Sequence, residues 1–585
     1  MNPHAESGQP LLKGAKADYT DESARALLAG QIDSLRAPRA NAWTLVKQND
    51  SRSVYRGQID GQELYLKHYH PRSLARRLAR AMGFSDARRE LTFSRYLSSR
   101  GVETTPALAA YCNGTVEFLV SRAVAPAEPA DAWHLRQLAA GADGRKAIQR
   151  AIRQLAGMIG RMHAAGVIHR DLHCGNLLVR TDGAAPRLVL TDLHRMTRRR
   201  RLGRRARAAN LAQLLHDRFE TTTRTERLRF LTHYLRASGA DGTLRGWQIL
   251  VEEFARRHRH RQYAQRDHRI LGRNRYFAPL NLSGGWRGHV VLASKRRMAG
   301  SQAAEVVLDL PAWKEALKNP DALFSGEGVE VIKDSPSSLV VRRTLRIGEH
   351  SVPVFLKRPR RKYAWKLLID CCRAARPLRA FRLGHMLLAR RIPTALPLAA
   401  IQRRVGPILL DSILVTEAVD APHLHRFLNT WLSNPPRGDA VLTAPQQRML
   451  AQDVLWQLGR TVQRLHDNNF AHRDLKATNL LVRWSTGEPP ELVLVDLDGL
   501  SRKRFMTLRR RFQGLMRLNV SLLKCPVVNH AGRLRMLLGY LRRPGCGRIN
   551  FKPYWRVLEQ WSADKINRQI HSRRKRQKAV RRPGA

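Results

Sequence analysis

The sequence predicts an α+β protein built from two tandem copies of one domain. Each copy should have an antiparallel sheet first and a mostly helical half after it. Three observations predict this. One stretch occurs twice, as VIHRDLHCGNLLVRTDGAAPRLVLTDLHR at Val167–Arg195 and as FAHRDLKATNLLVRWSTGEPPELVLVDLDGL at Phe470–Leu500. The flanking residues keep step with it: Lys67 and Lys357 stand 290 positions apart, His169 and His472 303, and Asp192 and Asp496 304. Such steady offsets are the mark of a duplicated domain with small insertions. In each copy, short alternating strand runs come first and 3.6-period apolar patterns follow.

The repeated stretch carries the chemistry. In the second copy two short apolar strands, Leu480–Val482 and Leu492–Val495, flank a turn rich in Gly and Pro and so form a hairpin. Asp474 stands before the first strand, Asn479 five positions later, and Asp496 at the end of the second strand. Asp171, Asn176 and Asp192 are their equivalents in the first copy. A carboxylate beside an attacking hydroxyl, with oxygen ligands for a magnesium ion on nucleotide phosphates, is what phosphoryl transfer requires. The order H-R-D-x-x-x-x-N, strand pair, D-x-x-G resembles the kinase catalytic core, so the expected fold is two tandem protein-kinase-like domains.

The remaining elements follow in order. Residues 1–20 read as a disordered lead, 21–280 as the first domain, 281–320 as a linker or extension, 321–567 as the second domain, and 568–585 as a disordered basic tail. In the first copy, Trp43–Val46, Ser53–Arg56 and Glu63–Lys67 are expected strands, and Asp86–Arg100 a helix carrying Glu90. Strand Thr115–Val120 leads to a hinge at Ser121–Ala123. Helix Ala147–Ala165 buries Ile152, Leu155, Ile159 and Met162, and helix Thr225–Ala237 follows. Residues 245–300, rich in Arg and His, receive no role. The second copy repeats the scheme with strands Val329–Lys333, Ser338–Arg342 and Val354–Lys357, helix Arg376–Arg390, strand Leu409–Thr416, a hinge at Glu417–Ala418 and helix Gln447–His466.

Composition narrows the partners. The chain has 585 residues, too many for one core, and its 43% hydrophobic content is that of globular protein. It has no apolar run of 18 residues and no basic-then-apolar start, so a cytoplasmic protein is expected. Its six cysteines form no CxxC pair or metal spacing and read as reduced thiols. Lys and Arg number 105 against 47 acids, a formal net charge of +58, which attracts polyanions. The basic runs lack interleaved aromatics, so nucleic acid is not the expected partner.

Within this pattern Asp171 and Asp474 accept or orient the proton of the acceptor hydroxyl, and Lys476 neutralises charge on the transferred group. Asn176 with Asp192, and Asn479 with Asp496, hold Mg2+. Lys67 and Lys357 contact the phosphates of ATP, and Glu90 pairs with Lys67. In the second copy Ala380 or a neighbour falls where Glu90 lies, so the lysine-pairing acid is expected to be missing. His169, His472, Arg170 and Arg473 read as supports of the loop. Neither copy has G-x-G-x-x-G, so Lys47–Val54 and Lys333–Val340 must cover the phosphates with Ser and Asp. Neither has A-P-E, which argues against a peptide platform.

The chain as a whole resembles the lipopolysaccharide core kinase family, the Kdo/WaaP group, in tandem. DLHRM followed by an Arg-rich run is similar to the heptose-kinase ending of that family, and KDSPSS, VFLKR, ARRIPTALPLAA and HRDLKATNLLV resemble its Kdo-kinase-like members. The resemblance covers roughly residues 40–240 and 325–545. It implies ATP-dependent phosphorylation of a heptose or Kdo sugar at the cytoplasmic face of the inner membrane, with an anionic, lipid A-type glycolipid and the anionic membrane face as partners. Phosphorylation of another acceptor, protein or small molecule, and a pseudokinase scaffold for anionic envelope components are the alternatives.

Overall fold

A computed structural model describes residues 17–38, 43–49, 51–71, 74–82, 84–113, 115–183, 185–216, 218, 221–294, 306–360, 371, 373–433, 442–485, 487–542 and 549–580. The chain divides into two compact units, Met1–His260 and Arg261–Ala585.

The first unit begins with a six-stranded antiparallel sheet. Its spatial order is Ala17–Tyr19, Ala107–Cys112, Glu117–Arg122, Gln62–Tyr69, Arg52–Ile59, Thr44–Asn49. Side chains alternate between its faces. Leu64, Leu66, Phe118 and Val120 bury on one face with Leu28 and Leu35. Tyr69, Ala110 and Leu119 bury on the other, against Ala87 and Leu91 of helix Asp86–Ser98. Lys67 shares the parity of Tyr69, so the strand period alone aims it toward that helix. Ser85 caps the helix by accepting from Arg88 N. The helical half is built around Gly141–Ala164 and Arg224–Ser238, whose core includes Ile148, Ile159, Met162, Leu231 and Trp247. Gly160 lets these two helices touch, since a Cβ there would lie 2.6 Å from Ala237 Cβ.

The second unit repeats the plan with a seven-stranded sheet. Its order is Phe277–Asn281, Trp286–Val291, Pro397–Val405, Ile408–Glu417, His350–Pro359, Ser338–Ile347, Glu330–Ser335. Helix Arg376–Ala389 packs on it, and helices Ala444–Asp467 and His530–Leu541 form the matching helical pair. Gly459 makes their contact possible: a Cβ there would sit 2.1 Å from Met536 O.

Four sequence expectations change. Residues 281–320, read as a linker, supply strand Trp286–Val291 of the second sheet and helix Leu310–Ala316, whose Trp313 is buried and donates from Nε1 to Val291 O at 2.7 Å. The first-domain limit at 280 falls inside that sheet, because Phe277–Asn281 pairs with Trp286–Val291. The lead is ordered from residue 17, where Ala17–Tyr19 adds an edge strand, and residues 1–16 lie outside the described residues. The tail is helical as far as Val580, continuing helix Lys552–Val580. The region 245–300 is largely accounted for by helix Leu244–Arg269 and the hairpin after it. Among the described residues no helix is long and apolar enough to cross a membrane.

Candidate active site

In both units a three-residue strand, Val167–His169 or Phe470–His472, pairs with the strand that follows the second acid, Met196–Arg198 or Leu500–Arg502. The loop between is held by its own histidine. His169 Nε2 lies 3.1 Å from Thr191 O, and its Nδ1 accepts from Asp171 N at 3.1 Å. His472 repeats this with Asp496 O at 3.1 Å and Asp474 N at 3.2 Å. Burial lowers the pKa of both rings, which keeps them neutral and able to accept. These histidines are supports, as their spacing suggested. Arg170 and Arg473 tie the loop through their backbone N–H groups, to Arg195 O and Gly499 O.

The asparagines are fixed by the same loop. Asn176 Nδ2 donates to Asp171 O at 2.9 Å, and Asn479 Nδ2 to Asp474 O at 2.9 Å. The amide nitrogen is thereby engaged, and Oδ1 remains as an acceptor. Thr191 N bonds Asn176 O, and Val495 N bonds Asn479 O, both at 3.0 Å, which sets the second acid beside the asparagine. Asp192 and Asp496 both adopt left-handed backbone, with φ of 66° and 57°. That conformation is strained for a residue with a Cβ, and such strain gathers at functional sites. A carboxylate and an amide oxygen are hard donors of the kind Mg2+ prefers, so the residues present fit that ion.

The lysines differ between the units. Lys67 Nζ lies 2.5 Å from Glu90 Oε1, and Glu90 Oε2 accepts from the Tyr69 hydroxyl at 2.5 Å. Glu90 is 1% exposed and the Lys67 side chain 14%, so this pair is largely desolvated. In the second unit Ala380 is buried on the matching helix, as the sequence implied. Lys357 nevertheless has a second acid. Its Nζ lies 2.7 Å from Asp496 Oδ1 and 2.7 Å from Asp498 Oδ2. Burial would lower the pKa of Lys357, but Asp498 and then Asp496 outweigh it and raise it. Asp498 matches His194 of the first unit. The helix acid of one copy is thus replaced by a loop acid in the other.

His194 belongs to a second difference. Its Nδ1 lies 2.8 Å from Asp192 Oδ1 and 3.9 Å from Glu90 Oε2. Arg52, the first residue of strand Arg52–Ile59, grips both Asp192 oxygens. Burial acts to raise the Asp192 pKa, yet the His194 hydrogen bond and the charges of His194, Lys67 and Arg52 hold this carboxyl far below the usual range. Strand pairing aligns Arg52 with Ser338, so a serine stands at that place in the second unit.

The first acids also have cationic neighbours. Arg195 reaches Asp171 Oδ2 at 2.5 Å, and His173 Nε2 stands 3.8 Å from its other oxygen. Lys476 reaches Asp474 Oδ2 at 2.8 Å. Burial acts to raise the Asp474 pKa, but the Lys476 hydrogen bond lowers it on balance, so this carboxylate is ionised at neutral pH.

The model of the "Lipopolysaccharide kinase (Kdo/WaaP) family" matches residues 33–234 and 340–540. The chain belongs to this Kdo/WaaP family. It is a phosphotransferase acting on a sugar hydroxyl, with two protein-kinase-like domains in tandem. Among curated proteins it is 29% identical over 220 residues to the lipopolysaccharide core heptose(I) kinase WaaP of Pseudomonas aeruginosa, covering 35% of this chain and 81% of that protein. It is 27% identical over 150 residues to MAP kinase-activated protein kinase 2 of Homo sapiens, covering 26% of this chain and 33% of that one. The Cricetulus longicaudatus form matches equally, with 40% of its length covered. A solved structure of WaaP in complex with acyl carrier protein aligns at 25% identity and a TM-score of 0.33 over 41% of this chain and 98% of that one.

Four residues of the Kdo/WaaP sites escaped the sequence reading: Arg52, His194, Arg195 and Asp498. The first three approach carboxylates through side-chain geometry that no motif encodes. Asp498 did leave a signal, since the copy that lacks the helix acid has gained one two positions after its second Asp.

Proposed function

We propose that this chain transfers the terminal phosphoryl group of ATP to a heptose or Kdo hydroxyl of the lipopolysaccharide core. The observation that carries this reading is the repeated gathering, in each unit, of one lysine, two acids and an asparagine around one loop. Asp171 and Asp474 orient the acceptor hydroxyl and receive its proton, for which an ionised carboxylate is needed. Lys67 and Lys357 bind the nucleotide phosphates, steadied by Glu90 and by Asp498. Asn176 with Asp192, and Asn479 with Asp496, hold magnesium. When bound, magnesium neutralises charge on the phosphates. Lys476 lies beside Asp474, where charge on the group in transit is nearest the loop.

The charge of +58 supports an anionic glycolipid acceptor at the cytoplasmic face of the inner membrane, since lipid phosphates and sugar carboxylates are dense anions. The test is transfer of labelled phosphate from ATP to dephosphorylated core oligosaccharide by the full chain. Incorporation that requires magnesium supports the proposal. No incorporation into any core sugar would overturn it.

A further inference from the structure

The second unit holds a groove of about 1080 Å³ beside the phosphoryl-transfer site, with which it shares Asp498 and the loop residues His472 and Arg473. Its floor is the ribbon of Phe470–His472 and Leu500–Arg502, and helices Arg376–Ala389 and Leu508–Leu522 contribute to its lining. Nine Lys and Arg side chains line it, against a single carboxylate, Asp498. Helix Arg376–Ala389 contributes Arg376, Arg379 and Arg382, and the catalytic loop contributes Arg473. Lys503 and Arg517 come from the segments that follow the second acid.

Within the groove Arg502 pairs with Asp267, and several cations elsewhere in the unit are paired too. Arg358 pairs with Asp321 and Asp411, Arg360 with Asp334, and Arg483 with Glu491. Among the described residues Arg376, Arg379, Arg382, Arg473 and Lys503 have no acidic partner. Like charges gathered in a concave wall repel one another and raise the local potential, which a multivalent anion relieves. Guanidinium groups from separate elements also suit phosphate oxygens, which take paired N–H donors. The first unit is built otherwise at the matching place. There Arg89, the equivalent of Arg379, donates its Nε to Met196 O at 3.1 Å and lies against the ribbon. The Arg379 guanidinium makes no such bond and is exposed.

We infer that this groove is a binding site for an anion carrying two or more clustered phosphate groups, held between helix Arg376–Ala389 and the catalytic loop. The phosphates can come from a free polyphosphate or from the headgroup of a phosphorylated glycolipid. The site adjoins the nucleotide lysine through Asp498, which lines the groove and lies 2.7 Å from Lys357 Nζ, and it does not depend on transfer taking place.

The test is calorimetric binding of inorganic pyrophosphate to the full chain in metal-free buffer with EDTA. Three chains are compared: wild type, Arg376→Gln/Arg379→Gln/Arg382→Gln, and Lys67→Ala/Lys357→Ala. The helix variant should bind pyrophosphate at least about 10-fold more weakly, and the lysine variant should lose less than the helix variant does. Arg517→Gln, in the helix that follows the ribbon, should also weaken binding and guards against misfolding of the triple variant. Flotation with phosphatidylcholine vesicles, with or without diphosphorylated lipid A, separates the two sources. Loss of both pyrophosphate and lipid A binding in the helix variant assigns the groove to the glycolipid; loss of pyrophosphate alone assigns it to a free anion. Pyrophosphate affinity within about twofold of wild type in both arginine variants would overturn the inference.

Discussion

Replacing Asp498 by Asn tests whether the loop acid of the second unit does the work that Glu90 does in the first. Lys357 Nζ stands 2.7 Å from both Asp496 and Asp498. At that separation and an effective dielectric of about 20, each pair has a Coulomb energy of about 6 kcal/mol before solvent is counted. The Lys357 and Asp498 side chains are 21% and 27% exposed, so water cancels much of it. What remains is a charge-assisted hydrogen bond of about 1.5–3 kcal/mol. The substitution keeps shape and removes charge, leaving Lys357 to Asp496 alone, where it competes with a metal ion. The assay is labelled-phosphate transfer in an Asp171→Asn background, which silences the first unit. Transfer efficiency should fall by about 10- to 150-fold. Adding Ala380→Glu, which restores the acid on the helix, should recover a large part of the loss. An Asp498→Asn chain within about twofold of its parent would refute the reasoning.

Three further outcomes are expected. Arg52→Ser, studied in an Asp474→Asn background, should lower the half-saturating magnesium concentration by about 10-fold, because a guanidinium no longer competes for Asp192; an unchanged or higher value would exclude that competition. Gly459→Ala should destabilise the second unit by about 1–3 kcal/mol in denaturant titration, since its Cβ would meet Met536 O at 2.1 Å, and a midpoint equal to wild type would contradict the helix contact. Burial lowers the pKa of His163 to about 4 and of His466 to about 3, from 6.5. The unfolded chain therefore binds protons near pH 6.5 that the fold refuses, so stability is full above that pH and declines as pH falls toward 4, by about 3 kcal/mol for His163. His163→Gln should flatten this decline, and an equally steep profile in that variant would remove His163 as its source.

The features legible in the sequence are those encoded locally. The doubled H-R-D-x-x-x-x-N loop fixes its own geometry through His169 and His472, within a few residues of the acids they support. The Lys67–Glu90 pair follows from strand parity and one helix turn. Features that depend on distant partners were hidden. Trp286–Val291 looks like part of a linker because the strand that joins its hairpin to the second sheet, Pro397–Val405, lies more than a hundred residues away. The edge strand Ala17–Tyr19 is three residues long, too short for a period to declare itself. Arg52 opens a strand, and only the folded sheet decides which way its side chain reaches. Ala380 reads as a gap, yet the acid that fills it, Asp498, comes from a different element.

The account rests on one loop carboxylate per unit that receives the hydroxyl proton, and phosphate incorporation by four chains tests this most directly. Wild type, Asp171→Asn, Asp474→Asn and the double variant are compared for transfer from ATP to dephosphorylated core oligosaccharide, with thermal unfolding measured alongside. The double variant should unfold like wild type and lose transfer by at least about 100-fold, the low end of what a positioned base supplies. Transfer by the folded double variant at near wild-type rate would contradict the account.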